Sequence, residues 1–310
     1  MRLIFGRGMI SDDTEHTLMV AQALLCHSND PIAFQRALGW KLRWWFASLP
    51  AGVGLATARA CLRLWLGFPA NKAAVESAGS GPAMRSAILG AFFDDEPGKR
   101  REFVLASSRL THRSWQSDAA ALAVAEAAAL ASKMGGTPEI ERILSSLREL
   151  STEGEWQTRL SDIEVCLNAG DSVADFVRRL GLERGVTGYS LYVVPVAIYA
   201  WLRHAGDFRA ALTAAMECGG DTDTVGAILG ALLGVSLGTN AIPQEWRNGL
   251  VEWPRSNRFI LRVAQRLAEQ KLAQQPLKPV PYFWPGQILR NLVFLVIVLV
   301  HGIRRVFPPY

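Results

Sequence analysis

The chain has 310 residues, of which half are hydrophobic and a fifth are charged, a composition that excludes an intrinsically disordered protein. Its four cysteines lie far apart without a CxxC pair, which argues against a zinc ribbon, a thioredoxin motif or a disulfide framework and favours reduced thiols in a cytoplasmic protein. The net charge of +5 comes from residues 251–310, which carry +7, so the body of the chain is unsuited to binding polyanions and no specific nucleic-acid partner is expected.

The sequence pattern predicts an almost entirely helical chain. Alanine is frequent, apolar residues recur at spacings of three and four, and alternating runs are scarce. Pro195 lies inside an apolar segment that resembles a strand, and because proline is excluded from central strands we predict a buried, kinked helix there. The predicted helices cover residues 13–27, 32–48, 53–66, 82–93, 114–133, 137–149, 171–180, 188–204, 207–216, 222–237 and 257–273.

The first helix opens on an acidic cluster, Ser11-Asp12-Asp13-Thr14. Serine and aspartate are the favoured N-cap residues, and the helix dipole stabilises negative charge in the first turn. Taken alone, this cluster is therefore explained as a helix cap.

Two further elements lie in the middle of the chain. Residues 77–85 are rich in small residues and precede an apolar helix, which is the composition of a phosphate-binding nest, although the spacing matches neither a P-loop nor a dinucleotide fingerprint. An ordinary helix-start loop is the alternative. His112 follows Thr111, and an isolated histidine is more often structural than functional.

A second acidic cluster, residues 219–224, opens the helix predicted over 222–237. That helix is apolar and should be buried on most sides, so Asp221 and Asp223 would enter a partly enclosed place that is costly for carboxylates without cations. Carboxylates and hydroxyls without His or Cys suit hard divalent ions, and two such clusters in one cleft suit a two-metal site. Gly219 and Gly220 allow positive φ and close backbone approach to a ligand.

The sequence pattern predicts one compact α-helical domain over residues 1–273. Two further segments follow it at the C-terminal end. Residues 274–285 contain four prolines and are predicted to be a stiff linker. Residues 286–310 are predicted to form a hydrophobic helix flanked by basic residues, with an apolar core too short to cross the roughly 30 Å hydrocarbon layer comfortably. Two interpretations stay open: the helix packs back on the domain, or residues 286–306 form a membrane-surface or marginally spanning anchor. The second is supported by the basic tail and by aromatic residues at Tyr282, Phe283, Trp284, Phe307 and Tyr310.

The order of these elements resembles the ADP-ribosylglycohydrolase family, the group that includes the dinitrogenase reductase-activating glycohydrolase. The resemblance rests on Ser-Asp-Asp-Thr, Gly-x-Gly-x-x-Met-Arg, Thr-His and Gly-Gly-Asp-Thr-Asp-Thr, followed by Ile-Pro-x-x-Trp, and spans about residues 8–250. It implies an all-α orthogonal bundle with two Mg²⁺ or Mn²⁺ ions. It also implies hydrolysis of the glycosidic bond between ADP-ribose and a protein side chain or a related ADP-ribosyl compound.

The resemblance also implies roles by position. The implied metal ligands are Ser11, Asp12, Asp13, Asp221, Asp223 and Thr224. The implied catalytic carboxylates are Asp12, Asp13 and Asp223. The residues implied to contact ADP-ribose are Gly79, Ser80, Gly81 and His112. We also predict that Gly219 and Gly220 contact this ligand, because glycine allows close backbone approach. In the implied mechanism the metals bind the ribose hydroxyls beside the scissile bond and polarise a water, and a carboxylate handles its proton.

The sequence departs from the family pattern in two ways. A glycine-rich segment that carries a glutamate usually precedes the first acidic cluster, and its absence before Ser11 leads us to expect either an upstream start or a shortened member. Ser80 stands where asparagine is common.

The alternative function is therefore a catalytically impaired protein that binds metal and ADP-ribose and acts as a regulatory or immunity partner. A third function is hydrolysis of another ribosyl compound. We expect a monomer, because no heptad pattern is present.

Overall fold

The structure is a computed structural model that describes residues 7–135 and 137–304. Fifteen α-helices make up most of these residues, and a short parallel pair of strands, β1 (Val75–Glu76) and β2 (His112–Arg113), is the only sheet found within them. The helices are α1 (Asp12–Cys26), α2 (Pro31–Ala47), α3 (Leu55–Trp65), α4 (Ala87–Phe92), α5 (Pro97–Ser108), α6 (Trp115–Met134), α7 (Ile140–Arg148), α8 (Gly154–Ala169), α9 (Val173–Arg179), α10 (Ser190–Arg203), α11 (Phe208–Glu217), α12 (Thr222–Leu237), α13 (Gln244–Asn248), α14 (Asn257–Ala273) and α15 (Trp284–Arg304).

The all-α prediction is confirmed, and each predicted helix except the one over 82–93 has a counterpart whose ends differ by at most three residues. The helix predicted over 82–93 is broken into a 3₁₀ turn, Ala83–Arg85, and α4. Three helices were not predicted: α5, α8 and α13. Of these, α8 is mostly polar and buries only one side chain per turn, so its apolar period is weak in the sequence.

Helix α6 lies at the centre of the molecule and contributes to two hydrophobic clusters. One cluster packs it against α7–α12, and the other packs it against α1–α5 and α14. Its alanines allow very close packing: a Cβ on Gly90 of α4 would lie 2.1 Å from the carbonyl oxygen of Ala125, so only glycine fits there. Ser114 caps this helix, since its side chain accepts from the Ser117 amide, and Gly135 ends the helix with φ of +59°.

Helix α10 confirms the prediction of a buried helix around Pro195. Nearly all of its residues are buried, and they include Tyr199 and Trp201. Tyr199 donates a hydrogen bond to the carbonyl oxygen of Asp171, and Trp201 donates to Ser236. Both polar tips are therefore satisfied, and the ring bodies fill the core between α9 and α12.

Helix α15 follows residues 276–283, which form neither helix nor strand. The side chains of Gln287, Arg290 and Asn291 are buried against the rest of the chain, whereas the apolar side chains from Leu292 to Val300 are mostly exposed. Among the residues described, no helix combines the length and apolarity needed to cross a membrane. The basic and aromatic residues predicted to flank this segment at Arg305, Phe307 and Tyr310 lie outside the described residues.

Candidate functional site

Three carboxylates meet where two helices begin. Asp12 and Asp13 lie in the first turn of α1, and Asp223 lies in the first turn of α12. One oxygen atom from each lies within 4.8 Å of the others. The positive ends of both helix dipoles therefore point at one small volume, which favours negative charge there.

Capping does not explain these acidic clusters. Ser11 and Asp221 occupy the N-cap positions of α1 and α12, yet neither side chain accepts a capping hydrogen bond. The hydroxyl of Ser11 instead donates to Oδ2 of Asp13 at 2.6 Å. Asp30 and Asp207, by contrast, do cap α2 and α11. Ser11 and Asp221 therefore differ from the aspartates that cap α2 and α11.

The carboxylates lack compensating positive charge. Burial, followed by the charges of Asp13 and Asp223, raises the pKa of Asp12 to about 8. Burial also raises the pKa of Asp13 and raises that of Asp221 to about 6, although Thr224 hydrogen-bonds both groups. In residues 7–135 and 137–304, no Lys, Arg or His forms an ion pair with any of these four aspartates.

One buried oxygen of the cluster has no partner. Oδ1 of Asp13 is shielded from solvent and makes no hydrogen bond. An unpaired buried carboxylate oxygen is costly, and a divalent cation with oxygen ligands would satisfy it. The donor set, consisting of carboxylates and hydroxyls, therefore fits Mg²⁺ or Mn²⁺.

The small-residue loop predicted to bind phosphate lies beside the second acidic cluster. The Ser80 amide donates to the carbonyl oxygen of Gly188 at 3.1 Å, and a Cβ on Gly188 would lie 3.3 Å from Oδ2 of Asp221. The Gly79 amide donates to Oγ of Ser77. Two of the three amides of the loop 79–81 are thus used within the protein, so the loop offers fewer backbone donors than an open phosphate nest.

His112 packs directly on this loop. A Cβ on Gly79 would lie 3.0 Å from Nε2 of His112, and a Cβ on Gly81 would lie 2.9 Å from its Cε1, so the glycines make room for the ring. The Nδ1 atom is 2.9 Å from the hydroxyl of Thr111, which also accepts a hydrogen bond from Arg85. Burial, and then the charge of Arg85, lowers the pKa of His112 to about 3, and the ring is neutral.

Gly219 and Gly220 have positive φ, as expected. The group that approaches their backbone closely is part of the protein rather than a ligand. A Cβ on Gly220 would lie 2.1 Å from the carbonyl oxygen of Val186, and the Asp221 amide donates to that same oxygen at 2.7 Å. The glycines thus allow Val186 to fix the backbone of Asp221. A direct contact of these glycines with a ligand stays a prediction.

The sequence did not reveal a set of buried polar residues behind the first acidic cluster. The amide of Ile10 donates to Glu252, and the carbonyl oxygen of Ile10 accepts from Arg290 at 2.6 Å. Arg290 also forms an ion pair with Glu252 at 2.9 Å. We call Ile10, Glu252 and Arg290 the Ile10 clamp, because they hold the backbone immediately before Ser11.

Glu15 extends this network along α1. It forms an ion pair with Arg255 at 2.8 Å and accepts hydrogen bonds from Trp45 and Gln287. The first turns of α1 thus present Asp12 and Asp13 to the site and Glu15 to a buried counter-charge. The available signal was that Glu252 is one of only two acidic residues in the basic segment 251–310.

Comparisons with known proteins identify one family. Residues 2–276 match the family model described as ADP-ribosylglycohydrolase. An ADP-ribosyl-[dinitrogen reductase] glycohydrolase from Rhodospirillum rubrum is 28% identical over 78% of this chain and 74% of its own length. An uncharacterised protein from Archaeoglobus fulgidus is 28% identical over 84% of this chain and 81% of its own. A solved ADP-ribosylglycohydrolase-related protein complex superposes with a TM-score of 0.62 at 26% identity, covering 83% of this chain and 80% of its own.

The chain belongs to the ADP-ribosylglycohydrolase family, because the family model spans nearly all of it. Membership supports a hydrolase activity on ADP-ribosylated substrates in general. The resemblance inferred from the four sequence elements is therefore confirmed.

Proposed function

We propose that this protein is a divalent-metal-dependent hydrolase that cleaves the glycosidic bond between ADP-ribose and a modified protein side chain or a related ADP-ribosyl compound. The observation that carries the proposal is the convergence of Asp12, Asp13 and Asp223 without a basic partner in the described part of the chain. Three carboxylates at this spacing repel one another unless protons or cations neutralise them.

The residues that would hold the metals come from the two helix starts. They are Ser11, Asp12, Asp13, Asp221, Asp223 and Thr224. Their all-oxygen donor set favours two Mg²⁺ or Mn²⁺ ions over softer metals. When bound, such a pair supplies Lewis-acid polarisation at the ribose next to the scissile bond.

The remaining work falls to this chain's own side chains and backbone. The loop 79–81 and His112 would bind and orient ADP-ribose. The loop is fixed for this role because the Ser80 amide donates to the carbonyl oxygen of Gly188 and the hydroxyl of Ser117 donates to the carbonyl oxygens of Ser77 and Gly79. A carboxylate of the cluster would accept the proton of the attacking water as the ribose C1 gains oxocarbenium character.

The test compares two isosteric substitutions. Asp223→Asn removes a carboxylate from the cluster, whereas Asp95→Asn removes an exposed one outside it. We expect Asp223→Asn to lose metal binding in calorimetric titration and to lower turnover of ADP-ribosylated protein by at least about 100-fold. The Asp95→Asn variant should match the unmodified protein in both measurements.

Three outcomes would contradict the proposal in different ways. Unchanged metal binding in Asp223→Asn would show that the metal site is assigned to the wrong residues. Turnover that persists in chelator would show that the reaction does not depend on metal. Metal-dependent binding of ADP-ribose without turnover of arginine-linked or serine-linked substrates would replace hydrolysis with a binding role.

A further inference from the structure

One side of the molecule carries an exposed cluster of tryptophans. Trp44 on α2 lies 6.0 Å from Trp40, 5.5 Å from Trp65 on α3 and 5.3 Å from Trp284 at the start of α15, measured between ring centroids. We call this surface the tryptophan face and include in it three exposed leucines, which are Leu55 and Leu62 on α3 and Leu66 at its C-cap.

The apolar side chains of the tryptophan face are unusually exposed. Trp40 is 57% exposed, Leu62 is 51% exposed and Leu66 is 77% exposed. Leu55, Leu62 and Leu66 recur at spacings of seven and four, so they form one stripe along α3. Contiguous apolar patches of this kind mark interaction surfaces, and tryptophan is favoured where an apolar layer meets water.

The same surface is basic. Residues 31–75, which contain α2 and α3, include six Lys or Arg and no Asp or Glu. Among these six, Arg36, Arg59 and Lys72 are exposed. Residues 251–310 add a net +7, so the rest of the chain carries a net −8. Positive charge is thus concentrated in residues 31–75, which carry most of the tryptophan face, and in residues 251–310, which contain α14 and α15.

A cavity opens within the face. Its volume is about 410 Å³, and its walls include Trp40, Trp44, Trp284 and the side chain of Lys41. In the described part of the chain, Lys41 forms no ion pair with a carboxylate. The cavity therefore combines apolar walls with a positive charge, which suits an anionic group attached to an apolar body.

Helix α15 continues the surface away from the domain. After Asn291 the exposed apolar side chains point in most directions around the helix; they are Leu292, Val293, Leu295, Val296, Val298, Leu299 and Val300. An apolar circumference is typical of a helix surrounded by protein or lipid rather than water. The contact of Trp284 with Trp44 joins this helix to the tryptophan face.

We propose that the tryptophan face and Leu292–Val300 together dock on the surface of an anionic phospholipid bilayer without spanning it. Apolar and tryptophan side chains would enter the headgroup boundary, and the surrounding Lys and Arg would pair with lipid phosphates. Charge selects lipid over a second copy of this chain, because pairing two copies of the face would bring like charges together.

The experiment is flotation of the full-length protein with vesicles. One set contains phosphatidylcholine alone, and the other contains phosphatidylcholine mixed with phosphatidylglycerol. We expect binding to the anionic vesicles that weakens as salt is added. The pair Leu62→Ser and Leu66→Ser should reduce that binding by about tenfold, and Arg59→Glu should reduce it by roughly fivefold or more.

The matched control is Val165→Ser, which replaces a 48% exposed apolar residue on α8. It should bind anionic vesicles as the unmodified protein does, and circular dichroism checks that all variants are folded.

The proposal is overturned if the unmodified protein stays with the soluble fraction, or if Val165→Ser and the leucine variants lose binding equally. A lipid-free dimer in light scattering that the leucine variants abolish would show that a second copy covers the face instead. Vesicle binding does not depend on hydrolysis, so this test is independent of the proposed enzyme activity.

Discussion

Two buried histidines near the site are held neutral by their surroundings. Nδ1 of His16 is 3.0 Å from a guanidinium nitrogen of Arg85, which can only donate, so the ring proton lies on Nε2, where it has no partner. Burial, and then Arg85, lowers the pKa of His16 well below its ordinary value, as it does for His112. Burial therefore keeps both rings neutral, and the charge of Arg85 adds to its effect.

This arrangement predicts acid sensitivity at the scale of single residues. Between pH 6.5 and about 3 the unfolded chain binds a proton at His112 that the folded protein rejects. The contribution of His112 to the free energy of unfolding should thus fall as pH drops below about 6.5, by up to about 1.4 kcal/mol per pH unit. Urea unfolding at several pH values measures this slope.

The acidic cluster makes the free energy of unfolding change with pH in the opposite direction. A variant is therefore needed to isolate the contribution of His112. His112→Gln removes one titrating ring and should reduce the acid-side slope relative to the unmodified protein. If the two proteins show the same pH dependence, His112 takes up its proton in the folded state and the burial argument is wrong.

At the scale of elements, the first turns of α15 carry buried polar side chains that contact distant parts of the chain. Arg290 is buried between Glu252 and the backbone of Ile10, and Asn291 donates to Ser48 on the other side. Removing one member of a buried ion pair leaves the other charge without compensation, which costs more than the pair contributes. The Ile10 clamp is thus a point where the C-terminal helix acts on the start of α1.

We expect Arg290→Met to lower the free energy of unfolding by about 3–5 kcal/mol, because it leaves Glu252 buried and unpaired while keeping most of the side-chain volume. Metal affinity should also fall, since the backbone before Ser11 loses its hydrogen bond. Denaturant unfolding and calorimetric titration measure the two effects. The control Arg262→Met, on the exposed side of α14, should change stability by about 0.5 kcal/mol or less.

A second substitution separates charge from packing. Adding Glu252→Gln to Arg290→Met should recover part of the lost stability, because no buried charge remains unpaired. A double variant as unstable as the sum of the single variants would mean that Arg290 acts through packing alone.

At the scale of the whole molecule, α6 joins the two hydrophobic clusters. Ala121 and Ala125 pack into one of them, and Ala120 and Val124 pack into the other. Neither cluster can lose α6 without exposing part of the other. We therefore expect one cooperative unfolding transition despite the size of the chain.

Two probes check this expectation in the presence of chelator, so that metal binding does not add stability. Tryptophan fluorescence reports on both clusters, because Trp45 lies in one and Trp156 and Trp201 lie in the other. Far-ultraviolet circular dichroism reports on the helices. The two curves should coincide, and transitions at separate denaturant concentrations would show that the clusters unfold independently.

The sequence predicted the helices well because helix formation depends largely on local signals. Helix α12 was predicted over its observed range, since a polar start precedes an uninterrupted apolar run that ends near Gly238. The meeting of Asp12, Asp13 and Asp223 was expected from the family resemblance. The polar helix α8 was missed because its buried stripe is narrow. The Ile10 clamp and the tryptophan face could not be predicted, because they depend on contacts between distant elements rather than on neighbouring residues.

The Ile10 clamp also has a consequence for the order of folding. Residues 10 and 290 are separated by 280 positions, so this contact closes a very long loop, and such contacts carry the largest entropic cost and tend to form late. Helix α1 can form early from its own sequence. The backbone before its first turn is fixed only when α15 packs against the rest of the chain and the Ile10 clamp forms. The candidate site would then be among the last parts of the molecule to be completed.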